Sequence, residues 1–171
     1  MALLERQGDG AAIIADRYQK LGDDEGLPTT GGVLVSLARF ESEKASLLER
    51  EGELGVWLKS DESPTAITDD LANLDLIALD FPVFSDGRAF SSARLLRERY
   101  GYKGEVRAIG DVLCEQLPFM LRSGFDTFEM ASENAVEEFE AVISEVRVVY
   151  QPTGDGRATA IDSRRGRLQD G

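Results

Sequence analysis

The residues able to do chemistry concentrate between positions 79 and 130. Two apolar runs, 74–79 and 105–109, close on Asp80 and on Gly110-Asp111. In parallel α/β architectures ligands bind at the carboxyl ends of the strands, so residues closing such runs are the first candidates. On that register the ends carry Arg39, Lys59, Asp80, Asp111 and Glu129, with the Asp86-Gly87-Arg88 loop above the same edge. Charges of both signs converging there suit a small anionic or zwitterionic ligand, or equally a structural salt-bridge network. Asp80 and Asp111 are the candidate catalytic carboxylates, with Asp80 as base, and Arg88 or Arg107 would hold an anion.

Arg88, Arg94, Arg97, Arg99, Arg107 and Arg122 gather in an otherwise acidic chain. Guanidinium forks suit phosphate, sulfate or carboxylate, which makes the set anion-facing or partner-facing. Any single one has a plainer reading, such as an i,i+4 surface pair of Arg94 with Glu98. Asp80, Asp86, Asp111 and Glu129 have the oxygens magnesium prefers, but their spacing is not specific. Asp111 reads more simply as a helix N-cap and Asp86 as a turn residue, so no metal site is assigned. Cys114 falls in the first turn of an expected helix, where the dipole lowers a thiol pKa, but Glu115 opposes this and a buried inert thiol is the better reading. Tyr100 and Tyr102 could donate protons, and packing explains them as well.

Absences remove several chemistries. The chain has no histidine and one cysteine. A Ser-His-Asp triad, a Cys-His pair, His-ligated zinc or haem, a four-cysteine iron–sulfur cluster and an internal disulfide are excluded within one chain. Neither GxxxxGK[ST] nor GxGxxG occurs, so the cofactor is left unknown.

The elements that must position these residues follow from pattern. A chain of 171 residues fits one domain. A net charge of −13 argues against a nucleic-acid partner and suits a basic protein partner. No run of roughly 18 apolar residues is present, so no membrane span is expected. The first ten residues lack a basic n-region, and with one cysteine the cytoplasm is the default location. Residues 1–31 read as an N-terminal arm or hairpin, around 11–15, and a loop. Residues 32–151 read as a single α/β domain, and 152–171 as a flexible tail. Strands are expected at 33–38, 54–58, 74–79, 105–109 and 127–130, with a further one at 146–151. Helices are expected at 41–51, 90–100, 112–122 and after Ser132, with a short helical turn at 69–71. Pro118 should kink its helix or shift its start. This is a parallel sheet of about five repeated β-α units, incomplete and TIM-barrel-like, or alternatively an open doubly wound sheet. An incomplete barrel leaves sheet edges to cover, which makes a homo-oligomer a further, purely structural reading.

The pieces Asp86-Gly87-Arg88, Ser91, Ala93-Arg94-Leu95-Leu96-Arg97, Tyr100-Gly101, Gly104-Glu105, Arg107-Ala108, Gly110-Asp111-Val112, Gln116 and Gly124-Phe125-Asp126 go together. With the Gly32-to-Arg39 strand and Tyr150-Gln151-Pro152, they make the chain resemble the bacterial domain-of-unknown-function family 934. The resemblance implies a role in assimilatory sulfate and sulfite reduction for cysteine biosynthesis, with sulfite reductase or its electron donor as partner. It also carries a label of oxidoreductase without a settled reaction. It adds Gln116 to the candidate ligand-binding residues Arg39, Lys59, Asp86, Arg88, Arg94, Arg97, Arg107 and Glu129. Glu115 and Pro118 depart from the expected pattern, and Pro118 bears on the geometry of its helix.

Overall fold

The computed structural model describes residues 1–8, 10–132 and 134–145. Eight strands, β1 (Ala2–Gln7), β2 (Gly10–Ile14), β3 (Tyr18–Lys20), β4 (Gly32–Ser36), β5 (Leu54–Leu58), β6 (Leu76–Phe81), β7 (Glu105–Gly110) and β8 (Thr127–Met130), form one sheet. Four α-helices accompany them: α1 (Leu37–Leu48), α2 (Arg88–Arg94), α3 (Leu117–Ser123) and α4 (Ala135–Glu145). The sheet order is β2-β1-β8-β7-β6-β5-β4-β3. Strands β3 to β8 pair in parallel, whereas β1 runs antiparallel to both β8 and β2.

The α/β class holds, but a clean parallel sheet of five units does not. The first twenty residues contribute three strands, one of them antiparallel to its neighbours. The doubly wound alternative is also overturned, because the order from β3 to β8 is consecutive and never reverses. Strand–helix alternation reveals only units joined by short crossovers. It is blind to β1, which finds β8 at the far end of the chain, pairing Ala2 with Met130.

The sheet curls into a half-barrel. Arg107 on β7 and Tyr18 on β3 are four strand spacings apart, roughly 19 Å across a flat sheet. Yet the Arg107 guanidinium lies 5.5 Å from the Tyr18 ring centroid and pairs with Asp16 at 2.9 Å. The pleat divides the side chains between two faces. Val35, Val56, Ile77, Leu79, Phe81, Val106, Ala108 and Phe128 pack with the helices in the main core. Tyr18, Leu34, Leu76, Ala78 and Ile109, with Trp57 beside them, form a smaller core on the concave side. Burial on both faces explains why β4, β5 and β6 read as continuous apolar runs.

Several boundaries shift for local reasons. Strand β4 ends at Ser36, whose hydroxyl accepts the Arg39 N–H at 3.1 Å and caps α1, so this helix begins before the expected 41. The helix expected at 90–100 starts at Arg88 and widens into a π-helical segment, Leu95–Arg99. The turn expected at 69–71 is part of a 3₁₀ segment, Pro64–Asn73. Pro118 shifts its helix: α3 begins at Leu117, with the proline in its first positions, after a 3₁₀ turn at Cys114–Gln116. Asp111 is therefore not the N-cap of a helix at 112–122. Between β3 and β4 the crossover is a loop rather than a helix, held by arginines. Arg39 donates to the carbonyls of Gly22 and Glu25, and Arg50 to those of Pro28 and Gly31. The expected strand at 146–151 and the tail from 152 lie outside the described residues.

Candidate functional site

The arginines fall into two populations. Arg97 reaches from the π segment to the amino ends of β7 and β8. Its Nε donates to the Gly124 carbonyl at 2.9 Å, its Nη1 to the carbonyls of Tyr102 and Gly104 at 2.8 Å each, and its Nη2 to Asp126. Asp126 in turn accepts the Val106 N–H at 2.8 Å. Burial raises the Asp126 pKa and Arg97 counters it. Arg107, only 1% exposed, donates to Glu105 at 3.0 Å and Asp16 at 2.9 Å, with Glu129 at 3.9 Å. Arg39, on α1, is equally engaged, with the Gly22 and Glu25 carbonyls and with Glu43. None of these three has a donor fork free for an anion.

Arg88 stands apart. It lies at the carboxyl ends of the strands, is exposed, and pairs with Asp86 at 2.6 Å while donating to Ser60 at 2.9 Å. Its hydrogen bonds hold the Asp86 carboxyl well below the usual range. Arg94 makes the expected surface pair with Glu98 at 3.4 Å, and Arg122 lies over the Phe119 ring at 5.9 Å. The Lys59 backbone N–H donates to Glu62 at 2.8 Å and its side chain is exposed.

Asp111 and Gln116 act together, but on the backbone. Asp111 accepts the Phe84 N–H at 2.9 Å, and Gln116 Nε2 donates to the Phe84 carbonyl at 2.6 Å. Gly110 makes the approach possible. Its φ is +91°, and a Cβ there would sit 2.5 Å from the Phe81 carbonyl and 2.7 Å from Asp80 Oδ1. The loop after β6 is thus tied at both sides of Phe84, while its apolar side chains face outward: Val83 is 51% and Phe84 55% exposed. Leu113 and Phe119 are also exposed, as are the carboxylates Asp111 and Glu115.

A second grouping lies on the concave face. Lys20 Nζ sits 4.7 Å from the Trp57 ring centroid. Its charge reaches both Asp80 and Glu129. Burial raises the pKa of each carboxyl. Lys20 eases the shift at Asp80, and Arg107 with Lys20 eases it at Glu129. Asp80 belongs here because β6 runs on to Phe81, which places the aspartate within the strand and on its inner face. Sequence reasoning found Asp80 and Glu129 but missed Lys20, Trp57 and Phe84. Gly55 and Trp57 alternating in an otherwise apolar strand was the one available signal for a concave-face aromatic; nothing local marks Lys20.

The remaining candidates have structural partners. The Cys114 thiol donates to Glu138 at 2.7 Å, and burial and that bond push it up to about 12. The Tyr102 hydroxyl donates to the Leu74 carbonyl at 3.0 Å, and burial pushes its pKa up. Among the described residues no three potential metal-binding side chains cluster, so Asp80, Asp86, Asp111 and Glu129 do not gather as one metal-ligand set. Among those residues, too, no helix is long and apolar enough to cross a membrane.

Fold and site together define an α/β protein with a curled mixed sheet, whose carboxyl strand ends carry an apolar loop and a group of concave-face charges. Residues 55–161 match the model of the family described as "Bacterial protein of unknown function (DUF934)", and the chain belongs to that family. Comparison with curated proteins gives no match.

Proposed function

We propose that this protein is an accessory protein of assimilatory sulfite reduction, working in the cytoplasm and docking on sulfite reductase or on its electron donor. The observation that carries the docking half is the presentation of Phe84. An aromatic side chain on a backbone fixed by Asp111 and Gln116 loses little freedom on binding. Exposed aromatics of this kind serve as interface anchors, and the nearby Asp111 and Glu115 with a net charge of −13 favour a basic counterpart. The pathway half rests on the resemblance described above. Affinity capture of purified sulfite reductase at low salt tests both halves: the wild-type chain should retain it and Phe84→Ala should lose it. Retention of neither the reductase nor its electron donor would sink the reading. Growth of a deletion strain on sulfate, sulfite and sulfide places the step, with growth on sulfide alone expected.

A second reading is a small enzyme of the same pathway, supported by the raised pKa values of Asp80 and Glu129 on a concave face. Asp80 is then the base. Asp111, engaged on Phe84, and Arg107, enclosed by carboxylates, act as framework. If a folded Asp80→Asn variant restores growth on sulfate as well as wild type, the enzyme reading fails while docking stands.

A further inference from the structure

Many charged groups of this sheet have a direct partner, and three that are less engaged share one place. Arg39, Arg97 and Arg107 are each bound through several donors. By contrast, among the described residues the Lys20 ammonium makes no ion pair, and its single close contact is the Trp57 ring. The Asp80 carboxylate accepts no hydrogen bond from a described residue, and the nearest cation to Glu129 is Arg107 Nη1 at 3.9 Å. The Trp57 indole N–H likewise donates to nothing there. These four side chains come from β3, β5, β6 and β8 and project from the concave side. The curl brings them over a dry floor of Leu34, Leu76, Ala78 and Ile109. Trp57, Asp80 and Glu129 remain partly exposed above that floor.

The grouping has a polarity. Two donors, the Lys20 ammonium and the Trp57 N–H, stand with two acceptors, the carboxylates of Asp80 and Glu129. A plain anion would meet the carboxylates and a plain cation would meet Lys20. A ligand carrying both charges close together satisfies all four. We propose that this concave face binds a free α-amino acid zwitterion, its carboxylate on Lys20 and the Trp57 N–H and its ammonium between Asp80 and Glu129. The energetics agree. Burial already disfavours the ionised form of both carboxyls, and an ammonium placed between them offsets that desolvation. The site is independent of the Phe84 surface, so either holds if the other fails.

Trp57 is the sole tryptophan, which makes the site its own reporter. The full chain is titrated with each uncharged L-α-amino acid to about 20 mM, following tryptophan emission and, in parallel, calorimetric heat. At least one should bind saturably with a change in emission. Its amide, lacking the carboxylate, and its 2-hydroxy acid, lacking the ammonium, should each bind about tenfold or more weakly. Lys20→Met, at an exposed position, and Asp80→Asn, which keeps the side-chain shape, should each weaken the parent amino acid by a similar factor. The proposal is overturned if no amino acid binds by either measurement. It is equally overturned if the amide and hydroxy acid bind as well as the parent, or if Lys20→Met binds like wild type.

Discussion

The two ends of the curled sheet are built on opposite plans. At the amino ends of β7 and β8, Arg97 ties three backbone carbonyls and Asp126 into one knot, and Asp126 also accepts the Val106 N–H. At the carboxyl ends the backbone is held just as firmly, through Gly110, Asp111 and Gln116, but side chains are left outward or unpaired. The first end is organised to hold the fold, and the second is the end on which we propose recognition, a division known from barrels with parallel strands. The lesson is that counting arginines does not find an anion site. Arg97 and Arg88 have the same chemistry, yet three carbonyls and the half-exposed Asp126 carboxylate hold the former, whereas the latter pairs at an exposed loop.

Substitutions that strike one end and spare the other test this contrast. Arg97→Met should have the largest effect, lowering unfolding free energy by about 2–4 kcal/mol, because it leaves three carbonyls without their donor, while the loss of the half-exposed Asp126 pair adds little. Urea denaturation measures it, and a loss under about 1 kcal/mol would erase the distinction between the ends. Gly110→Ala comes next, at about 1–3 kcal/mol, from the positive φ and the contact with the Phe81 carbonyl. Thermal melting should show it, and Phe84-dependent partner capture should weaken along with it.

The Cys114 thiol should make a smaller and pH-limited difference. Its folded pKa is raised from 9.0 to about 12, so between those values the unfolded chain has lost a proton that the folded chain keeps. Its contribution is full below pH 9.0 and is lost as pH rises towards about 12. Melting curves of wild type and Cys114→Ala should therefore converge across that window, and parallel curves would contradict the assignment. The same protonation predicts slow alkylation of the folded thiol at neutral pH.

Phe84→Ala should hardly matter for folding, staying within about 0.5 kcal/mol, since the ring is exposed. If it unfolds the protein, the ring belongs to the core and not to an interface. Smallest of all is Asp80→Asn. Burial raises the Asp80 pKa, so its ionised form works against folding once pH exceeds the folded value. The amide should melt no lower than wild type at pH 7, and a clear drop would show that Asp80 is structural after all.

How much was legible follows from the range of each interaction. Apolar runs covered on both faces announced β4 to β6, because burial is written into consecutive residues, and shorter apolar stretches bounded by turn residues marked β7 and β8. Helices after them were legible too, with ends misplaced wherever a cap or a proline decided the start, as at Ser36 and Pro118. Asp80 and Glu129 were found because they close such runs. Arg39 was marked for its place at a strand end and Arg97 and Arg107 for their chemistry, and the partners that engage all three lie far along the chain.

By itself, then, the sequence determined the α/β class, the five central strands, the family and the absence of histidine and multi-cysteine chemistry within the chain. The tertiary structure alone decided that β1 closes against β8 and that the sheet curls far enough for Asp16 to meet Arg107. It alone decided that Lys20 and Trp57 stand with Asp80 and Glu129. The reason is physical: periodicity encodes which face of an element is buried, through contacts among near neighbours. Curl and long-range pairing are set by twist and packing summed over many strands, and no short stretch of residues records that sum.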